Sequence, residues 1–324
     1  MEVTFAGSPD RVEARLVPER GYAFDAFRIA GFPRRSGLPL LRALALAAAS
    51  PFACLRILAR RRPDVVLGGG GYVAGPMVLA AWLRRIPAAL TEADAHLGLA
   101  NRLATPFARR LFLAYPTAGA GKKACVVGRP IPSTSQPKPQ AEARAALDLP
   151  EEGPVVVVFG GSLGARTLNE LALDAWADEG PAVLHISGER DYEQLKGRVA
   201  RPGYRLVPFL DDFGAALGAA DLVVSRAGGS VWEIAAAGKP AILVPYPEAT
   251  ADHQHANALY FERAGGAEIV LDADAHAQVP RLVERLLASP DELEKMGAAM
   301  VAAAKPDAAE RIADELVALA AARR

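Results

Sequence analysis

Two glycine-rich turns in the sequence each follow a short apolar run and precede a helical pattern. They read "FGGSLGARTLNE" (159–170) and "SRAGGSVWE" (225–233). In parallel α/β domains, ligands bind beyond the carboxyl ends of the strands, where the N–H groups of a helix start point at them. Glycine lets a phosphate approach the main chain closely at such a turn. Neither turn has the spacing of a Walker A sequence or a dinucleotide fingerprint, and together they predict a phosphate-bearing ligand.

Glu233 follows Ser230 by three residues, and this spacing permits two interpretations. The first is a capping box, in which the serine caps the helix and the glutamate reaches back to it. The segments "TLNE" (167–170) and "SPDE" (289–292) have the same spacing and predict capping boxes too. The second interpretation is a carboxylate that binds a ligand. The glycines of both turns could likewise serve only the turn.

A third polar cluster lies in "PYPEATADHQHANA" (245–258), after another predicted strand. Asp252 could be the N-cap of the helix that follows. Alternatively, the amide of Gln254 could form hydrogen bonds on both sides with a sugar hydroxyl or a phosphate. The two histidines of this segment lack a third ligand at a suitable spacing, so no metal site is predicted.

Short apolar runs alternate with longer helical patterns along the chain. Strands that are apolar on both faces predict parallel sheets covered by helices on both sides. The Pro-, Ser- and Gln-rich segment 129–140 predicts a linker. We therefore expect two doubly wound, Rossmann-like α/β domains that face a cleft, residues 1–132 and 133–324, and the last helix could pack back on the first domain. The predicted strands lie at 64–67, 110–115, 154–161, 182–188, 204–209, 221–225 and 241–247.

The composition excludes several classes of protein. At 324 residues with 37 basic and 37 acidic side chains, the chain has room for two domains and no net charge to attract nucleic acid. Cys54 and Cys125 lie far apart and predict neither a disulfide framework nor a zinc site, which favours a cytoplasmic setting. No signal peptide is expected. The apolar segment 38–58 is interrupted by two arginines and a proline and predicts one or two helices rather than a membrane span.

Seven segments of the sequence occur in the same order in one protein family. They read "GGYVAGP" (70–76), "GLANRLATPFARRLFLAYP" (98–116), "GGSLGARTLNE" (160–170), "PFLDDF" (208–213), "ADLVVSRAGGS" (220–230), "EIAAAGKPAILVPYP" (233–247) and "ADHQHANA" (251–258). Together they resemble the MurG glycosyltransferases of bacterial cell-wall synthesis, and the resemblance covers nearly the whole chain.

The resemblance implies a two-domain GT-B transferase that uses UDP-N-acetylglucosamine as donor, with no metal and no tightly bound cofactor. The acceptor would be lipid I, a lipid-linked muramoyl pentapeptide, and the product lipid II, with inversion at the anomeric carbon. The protein would lie at the cytoplasmic face of the membrane as a peripheral protein. The donor-binding residues implied are Ser162, Gly228, Gly229, Ser230 and Arg129 near the phosphates, Leu210 at the uracil, Glu233 at the ribose and Gln254 at the sugar. The residues implied on the acceptor side are Gly70, Gly71, Tyr72, Asp94 and Asn101.

The chain departs from the family pattern in ways that bear on catalysis. The family's first strand and its GGTGGH loop, which carries a histidine implicated in catalysis, have no counterpart; a mis-assigned start codon or a truncation is the preferred explanation. Pro132 stands where the family has an arginine, and Arg129 is the candidate to replace it. Inversion needs a base for the acceptor hydroxyl, and Asp94 and His96 are the candidates, although His96 could be an ordinary exposed histidine. These departures leave open a related GT-B enzyme with another acceptor, or a catalytically impaired UDP-sugar-binding module.

A lipid-linked acceptor also implies contact with the membrane. An apolar patch ringed by basic side chains would provide it. The candidate segments are 41–62 and 77–86, the second of which contains Trp82, Arg84 and Arg85. The alternative is that both segments are amphipathic helices packed on the sheet.

Overall fold

The fold was obtained as a computed structural model, which describes residues 2–30, 37–161 and 164–322. The chain divides into two compact units. The first unit comprises Met1–Ala93, Leu97–Val127 and Glu310–Arg324, and the second comprises Asp94–His96 and Gly128–Ala309.

The first unit is built from parallel strands and the helices that connect them. Its strands are β1 (Thr4–Gly7), β2 (Ala23–Ala26), β3 (Val66–Gly68), β4 (Ala88–Glu92), β5 (Arg110–Leu113) and β6 (Ala124–Val126). Its helices are α1 (Glu13–Glu19), α2 (Leu38–Arg61), α3 (Gly71–Leu83), α4 (Leu99–Ala104) and, at the end of the chain, α13 (Ala308–Ala321). Strands β1 and β2 form one parallel pair, and β3-β4-β5-β6 form a separate parallel sheet in that order.

Helix α2 is one continuous helix, although Pro51 lies inside it. Proline has no N–H to donate to the carbonyl of residue 47. The hydroxyl of Ser50 donates to that carbonyl of Ala47 at 2.9 Å instead. The apolar segment thus runs through the proline without a break.

Within the described parts of the chain, none of the helices combines the length and the apolar character that a membrane crossing requires.

Helix α13 packs on the first unit. Ile312 joins a buried cluster with Ala89, Phe112 and Val127, and Arg110 Nε donates to a carboxylate oxygen of Glu315 at 3.1 Å. The last helix in the sequence therefore completes a hydrophobic cluster whose other buried members come from β4, β5 and the residue after β6.

The second unit contains one six-stranded parallel sheet. Its strands are β7 (Val155–Phe159), β8 (Ala182–Ile186), β9 (Tyr204–Val207), β10 (Leu222–Ser225), β11 (Ala241–Leu243) and β12 (Ala267–Ile269). Its helices are α5 (Gln140–Ala146), α6 (Arg166–Trp176), α7 (Glu189–Leu195), α8 (Phe213–Ala219), α9 (Val231–Ala236), α10 (His253–Arg263), α11 (Ala275–Leu287) and α12 (Pro290–Ala303). The strand order is β12-β11-β10-β7-β8-β9.

The predicted fold class, α/β with parallel sheets, is confirmed. Each of the seven predicted strand segments overlaps a strand of the structure. Every residue of β7 and of β10 is buried, as expected of strands that are covered on both faces. These two strands lie side by side and pair in parallel from Val156 and Leu222 onward, so the two glycine-rich turns leave the sheet at the same edge.

The capping boxes predicted at 167–170 and 289–292 are wrong. Thr167 lies inside α6, which begins at Arg166, and its hydroxyl donates to Asp272. Ser289 makes no side-chain cap on α12, and Glu292 pairs with Arg285. Thr167 and Glu292, which the capping boxes required at the helix starts, therefore bind other side chains.

A buried polar chain around His185 lies behind the first glycine turn. Asn169 Nδ2 donates to Ser187 O and to the Asp191 carboxylate, each at 3.0 Å. The remaining amide oxygen of Asn169 is an acceptor and lies 2.9 Å from His185 Nε2. His185 Nε2 must therefore carry the proton, and Nδ1 accepts from the Tyr204 hydroxyl at 2.9 Å. Burial lowers the pKa of His185 to about 3.

The neutral form of His185 makes stability depend on pH. The folded protein keeps the ring neutral, whereas the unfolded chain takes up a proton near a pKa of 6.5. The contribution of the neutral His185 ring to the free energy of unfolding is therefore complete above pH 6.5, and it is lost progressively as the pH falls toward 3. We expect His185→Gln to be less stable than wild type at pH 7.5 and to lose less stability between pH 6.5 and 4. Urea unfolding at several pH values measures this, with the exposed His276→Gln as control. An unchanged pH slope in His185→Gln would contradict it.

Candidate functional site

The turn between β10 and α9 carries main-chain donors. The N–H groups of Gly228, Gly229 and Ser230 have no protein acceptor among the described residues. All three residues are half-buried. Strand β10 lies between β7 and β11, within the sheet, so the turn starts from a rigid element. These N–H groups are available to an anionic ligand.

The guanidinium of Arg129 lies directly against Gly229. A methyl group on Gly229 would be 2.4 Å from Arg129 Cζ and 2.5 Å from Nη1. No real side chain tolerates such contacts, so only glycine permits this position of the arginine. Arg129 brings a full positive charge to the donors of the turn, and a guanidinium matches phosphate oxygens in a bidentate manner.

A small cavity opens beside this pair. Its volume is about 120 Å³, and it is lined by Arg129, Pro130, Pro132, Gly229, Trp232 and Glu233. Three residues predicted for the donor site therefore share one cavity. Pro132, where the resemblance implies an arginine, lines the same space. The cation at this site comes from Arg129, three residues earlier in the chain.

The capping-box interpretation of Ser230 and Glu233 is wrong. Ser230 makes no side-chain cap on α9. The Glu233 carboxylate accepts a hydrogen bond from the hydroxyl of Ser135 instead. Glu233 is half-buried and faces the cavity. Its carboxylate is therefore held by the segment before α5 and not by the start of its own helix.

Gln254 lies at the start of α10, and its amide is oriented by the main chain. The Oε1 atom accepts from the N–H of Tyr246 at 2.9 Å. Asp252, the alternative N-cap, has left-handed φ and ψ and makes no side-chain cap. This contact orients the amide and uses one of the two lone pairs of Oε1, so the NH₂ group and the second lone pair are available to a ligand.

The loop after β11 is fixed by a buried arginine. Arg226 Nη1 donates to the carbonyls of Val244 and Pro245 at 3.1 and 3.3 Å, and its guanidinium also pairs with Asp272. Its guanidinium lies 5.6 Å from the ring centre of Tyr246. This arrangement joins the turn after β10 to the loop that orients Gln254.

Asn257 links the turn to Asp94. The side chain of Asn257 is fully buried. Its Oδ1 accepts from the N–H of Ala95 at 2.8 Å, and its Nδ2 donates to Asp94 Oδ1 at 3.2 Å and to Ala227 O at 3.1 Å. Ala227 directly precedes the glycines of the turn. The carboxylate of Asp94 is therefore fixed close to the turn, whereas His96 is exposed.

The first glycine turn has two close main-chain approaches. A methyl group on Gly160 would lie 2.3 Å from Ala165 Cβ, and one on Gly164 would lie 2.1 Å from Ser187 O. Both glycines are therefore required by packing, as the structural interpretation of this turn allows. Ser162 lies outside the described residues. Leu210 is half-buried between β9 and α8, and it does not line the cavity.

In the first unit, Asn101 and Glu92 organise the segment that follows β4. Asn101 Nδ2 donates to Thr91 O and to Glu92 Oε2, each at 2.9 Å. The same carboxylate accepts from the N–H groups of Ala93 and Gly98. Glu92, which was not predicted as a site residue, is thus the centre of this arrangement.

The other acceptor-side residues lie at the start of α3. A methyl group on Gly70 would be 3.2 Å from Thr91 O and 3.8 Å from Asn101 Nδ2, so Gly70 and Asn101 are neighbours. Gly71 is exposed, and the hydroxyl of Tyr72 accepts from Arg11 Nε at 3.1 Å. Across the described ranges, no three His, Cys, Asp or Glu side chains are grouped so that they could hold a metal ion.

Comparison with known proteins assigns the chain to a family. The description "Glycosyltransferase family 28 N-terminal domain" matches residues 1–113, and "Glycosyltransferase family 28 C-terminal domain" matches residues 155–312. A relative from Salinibacter ruber is 39% identical over 98% of this chain and 89% of its own length. One from Acidithiobacillus ferrooxidans is 40% identical over 97% of this chain and 88% of its own length. Both are named UDP-N-acetylglucosamine--N-acetylmuramyl-(pentapeptide) pyrophosphoryl-undecaprenol N-acetylglucosamine transferase.

The chain belongs to the MurG family. The crystal structure of Acinetobacter baumannii MurG superposes with a TM-score of 0.78 at 27% identity, covering 97% of this chain and 90% of that one. The predicted GT-B class is thereby confirmed. Membership of the MurG family makes the chain a hexosyltransferase.

Two residues of the second-unit site carried no predicted role in this MurG-family chain. Asn257 lies in the polar segment 245–258, where only Asp252 and Gln254 had a predicted role, and only the fold shows that Asn257 is buried. Ser135 lies in the predicted linker, whose composition suggested no contact with the site. A buried asparagine could have been suspected from the apolar residues that follow it in α10, but no local signal pointed to Ser135.

Proposed function

We propose that this chain transfers N-acetylglucosamine from UDP-N-acetylglucosamine to lipid I, an undecaprenyl-diphospho-muramoylpentapeptide, and so forms lipid II and UDP for peptidoglycan synthesis. The observation that carries this proposal is the guanidinium of Arg129 against Gly229, beside the carboxylate of Glu233, in a MurG-family chain. A cation, main-chain donors and one carboxylate in a single cavity match the diphosphate and ribose of the donor.

The diphosphate is met by the positive groups of the β10–α9 turn. Arg129 and the N–H groups of Gly228, Gly229 and Ser230 supply the donors. When the bond between the sugar C1 and the phosphate oxygen breaks, negative charge develops on the leaving UDP. Groups that are fixed before the reaction stabilise this charge without reorganisation.

The sugar and the ribose are met by hydrogen-bonding side chains. The Glu233 carboxylate accepts from ribose hydroxyls, because an ionised carboxylate is an acceptor only. The NH₂ group of Gln254 donates to a hydroxyl oxygen of the transferred sugar, while Tyr246 fixes the other side of its amide. We retain Leu210 and Ser162 as donor-site residues on the resemblance alone.

Asp94 is the proposed base. In an inverting transfer, the acceptor hydroxyl attacks C1 from the face opposite the UDP, its proton passes to the carboxylate, and the C1–O bond to UDP breaks. Asn257 donates to Asp94 Oδ1 and also binds Ala227, next to the glycine turn. This contact supports an Asp94 carboxylate held in a fixed orientation near the donor.

Removal of the cation tests the donor site. We expect Arg129→Ala and Gly229→Ala each to weaken UDP binding tenfold to a hundredfold, because each removes a charged hydrogen bond from the phosphates. The two effects should not add in the double variant, since both displace the same guanidinium. Isothermal titration calorimetry measures the affinities, with the exposed Arg198→Ala as control. Fully additive losses would show that Gly229 and Arg129 act separately.

Acceptor-dependent release of UDP tests the reaction and its base. We expect the wild-type chain to release UDP from UDP-N-acetylglucosamine when a lipid I analogue is present. Asp94→Asn should lower kcat at least a hundredfold, because the base contributes about 10²–10⁴ to the rate, and should change the donor KM little. His96→Ala, in the same loop, tests the second candidate base: loss of kcat in this variant and not in Asp94→Asn would assign the role to His96.

The outcomes of this assay separate the alternatives. Release of UDP with Asp94→Asn at the wild-type rate would eliminate Asp94 as the base. UDP-sugar binding without transfer by the wild-type chain would identify a binding module. Transfer to a different sugar-lipid or peptide acceptor would identify a related enzyme with another acceptor.

We also propose that the first unit binds the membrane peripherally. Trp82 and Leu83 end α3, and Leu99 and Leu103 lie one turn apart on α4, which packs on α3; each of the four is more than half exposed. The basic side chains beside this patch are Arg84, Arg85 and Arg102, all exposed. Such a patch binds an anionic bilayer through buried apolar area and electrostatic attraction.

Two arginines at the end of the candidate membrane segment 41–62 form ion pairs within the first unit. Arg60 and Arg61 both pair with the buried carboxylate of Asp25, and chiefly the hydrogen bond from Arg61 lowers the pKa of Asp25. These two arginines therefore tie the end of α2 to β2. The patch on α3 and α4 is the better candidate for membrane contact.

Vesicle binding tests this patch. We expect two double variants, Leu99→Ser/Leu103→Ser and Arg84→Glu/Arg85→Glu, each to reduce co-sedimentation with phosphatidylglycerol vesicles at least tenfold. The first removes apolar area that the bilayer would bury. The second removes two surface arginines, each of which contributes about 1 kcal/mol. Phe52→Ser, an equally exposed apolar residue on α2, should bind like wild type. Equal binding of wild type to pure phosphatidylcholine vesicles, or no loss in either double variant, would exclude the patch.

A further inference from the structure

The segment that leads from Gly128 to α5 is seated on α8. A methyl group on Gly214 would lie 2.1 Å from Gln136 O, and one on Gly218 would lie 2.4 Å from Lys138 O. The N–H of Lys138 donates to Gly214 O at 3.2 Å, and its ammonium pairs with Asp212. The two glycines of α8 thus let the main chain of this segment lie directly on the helix.

Ser135 is the buried residue of this seated segment. It ends the short 3₁₀ turn Ser133–Ser135 and is 4% exposed, whereas Ser133 and Thr134 are exposed. Its hydroxyl donates to Glu233 Oε1. A serine in a proline-rich linker would normally be solvated, and here the packing on α8 brings it to the carboxylate that lines the cavity.

A hydrogen bond from Ser135 has a specific consequence for ligand binding. A glutamate side chain loses rotamer freedom when it grips a ligand, and this ordering weakens the observed affinity. Ser135 orders the carboxylate before the ligand arrives. The bond uses one lone pair of Oε1, so the carboxylate keeps capacity to accept from hydroxyl groups of a ligand.

We propose that Ser135 is a positioning residue that sets the grip of Glu233 on the ribose hydroxyls of a uridine nucleotide. This inference rests on the proposed function, in which Glu233 accepts from the ribose. The seated segment, and through it α8, thereby contributes to recognition of the donor although neither touches the nucleotide in this role. A substitution of Ser135 should therefore weaken the binding only of nucleotides that carry the ribose hydroxyls. A general effect on folding would weaken the binding of every nucleotide.

The test compares two ligands, UDP and 2′,3′-dideoxyuridine diphosphate, by isothermal titration calorimetry. We expect Ser135→Ala to weaken UDP binding about tenfold and to leave binding of the dideoxy nucleotide unchanged within twofold. Ser135→Thr, which keeps the hydroxyl, should restore most of the UDP affinity. Ser133→Ala, in the same turn but exposed, is the matched control and should bind both ligands like wild type.

The outcomes distinguish this inference from the proposed function. If wild type binds UDP better than the dideoxy nucleotide and Glu233→Ala removes that preference, Glu233 grips the ribose. If Ser135→Ala then keeps the wild-type preference, or loses affinity for both ligands equally, Ser135 does not position Glu233 and the inference is overturned. If wild type does not distinguish the two ligands, or does not bind UDP, the proposed role of Glu233 fails, and the inference fails with it.

Discussion

The close approach between Arg129 and Gly229 is the constraint on which the arrangement of the site depends. A side chain at position 229 would occupy the space of the guanidinium and displace it, so this position of Arg129 depends on the missing Cβ of one residue of the turn. The turn itself is held by β10, which is fully buried between two parallel neighbours. The buried strand and the glycine-rich turn thus hold main-chain donors beside the positive charge of Arg129.

The clearest strand signals in the sequence come from the strands that are buried on both faces. Strand β7 is five consecutive apolar residues, all buried, and a short apolar run bounded by turn residues is typical of a buried strand. Strand β12 is only Ala267–Ile269, lies at the edge of its sheet, and contains Glu268, which pairs with Arg285 on α11. A three-residue strand with a charged residue at its centre has no continuous apolar run, so the sequence of β12 carries little signal. The alanine-rich β4 resembles a helix in composition, and its pairing with β3 and β5 decides its form.

The residues of the candidate site were predictable where a local motif singles them out, and not where tertiary packing creates a contact. Gly229 and Glu233 followed from the motif, and Arg129 from its place near the missing arginine. Ser135 and Asn257 act through partners 98 and more than 160 residues away in sequence, and no local pattern specifies such pairs. The capping box at Ser230 failed for the same reason: a distant hydroxyl occupies the carboxylate that local spacing assigned to the helix start.

The packing of α13 on the first unit has a consequence for dissecting the protein. The backbone leaves that unit after Val127 and returns to it at Glu310. A fragment that stops at Val127 would lack Ile312 and leave the apolar surface of Ala89 and Phe112 bare to water. Cutting the chain once between Val127 and Glu310 therefore does not separate the two folded units, because the first unit contains residues from both ends of the chain. A stable N-terminal fragment requires the C-terminal helix to be supplied as a separate peptide or rejoined by circular permutation.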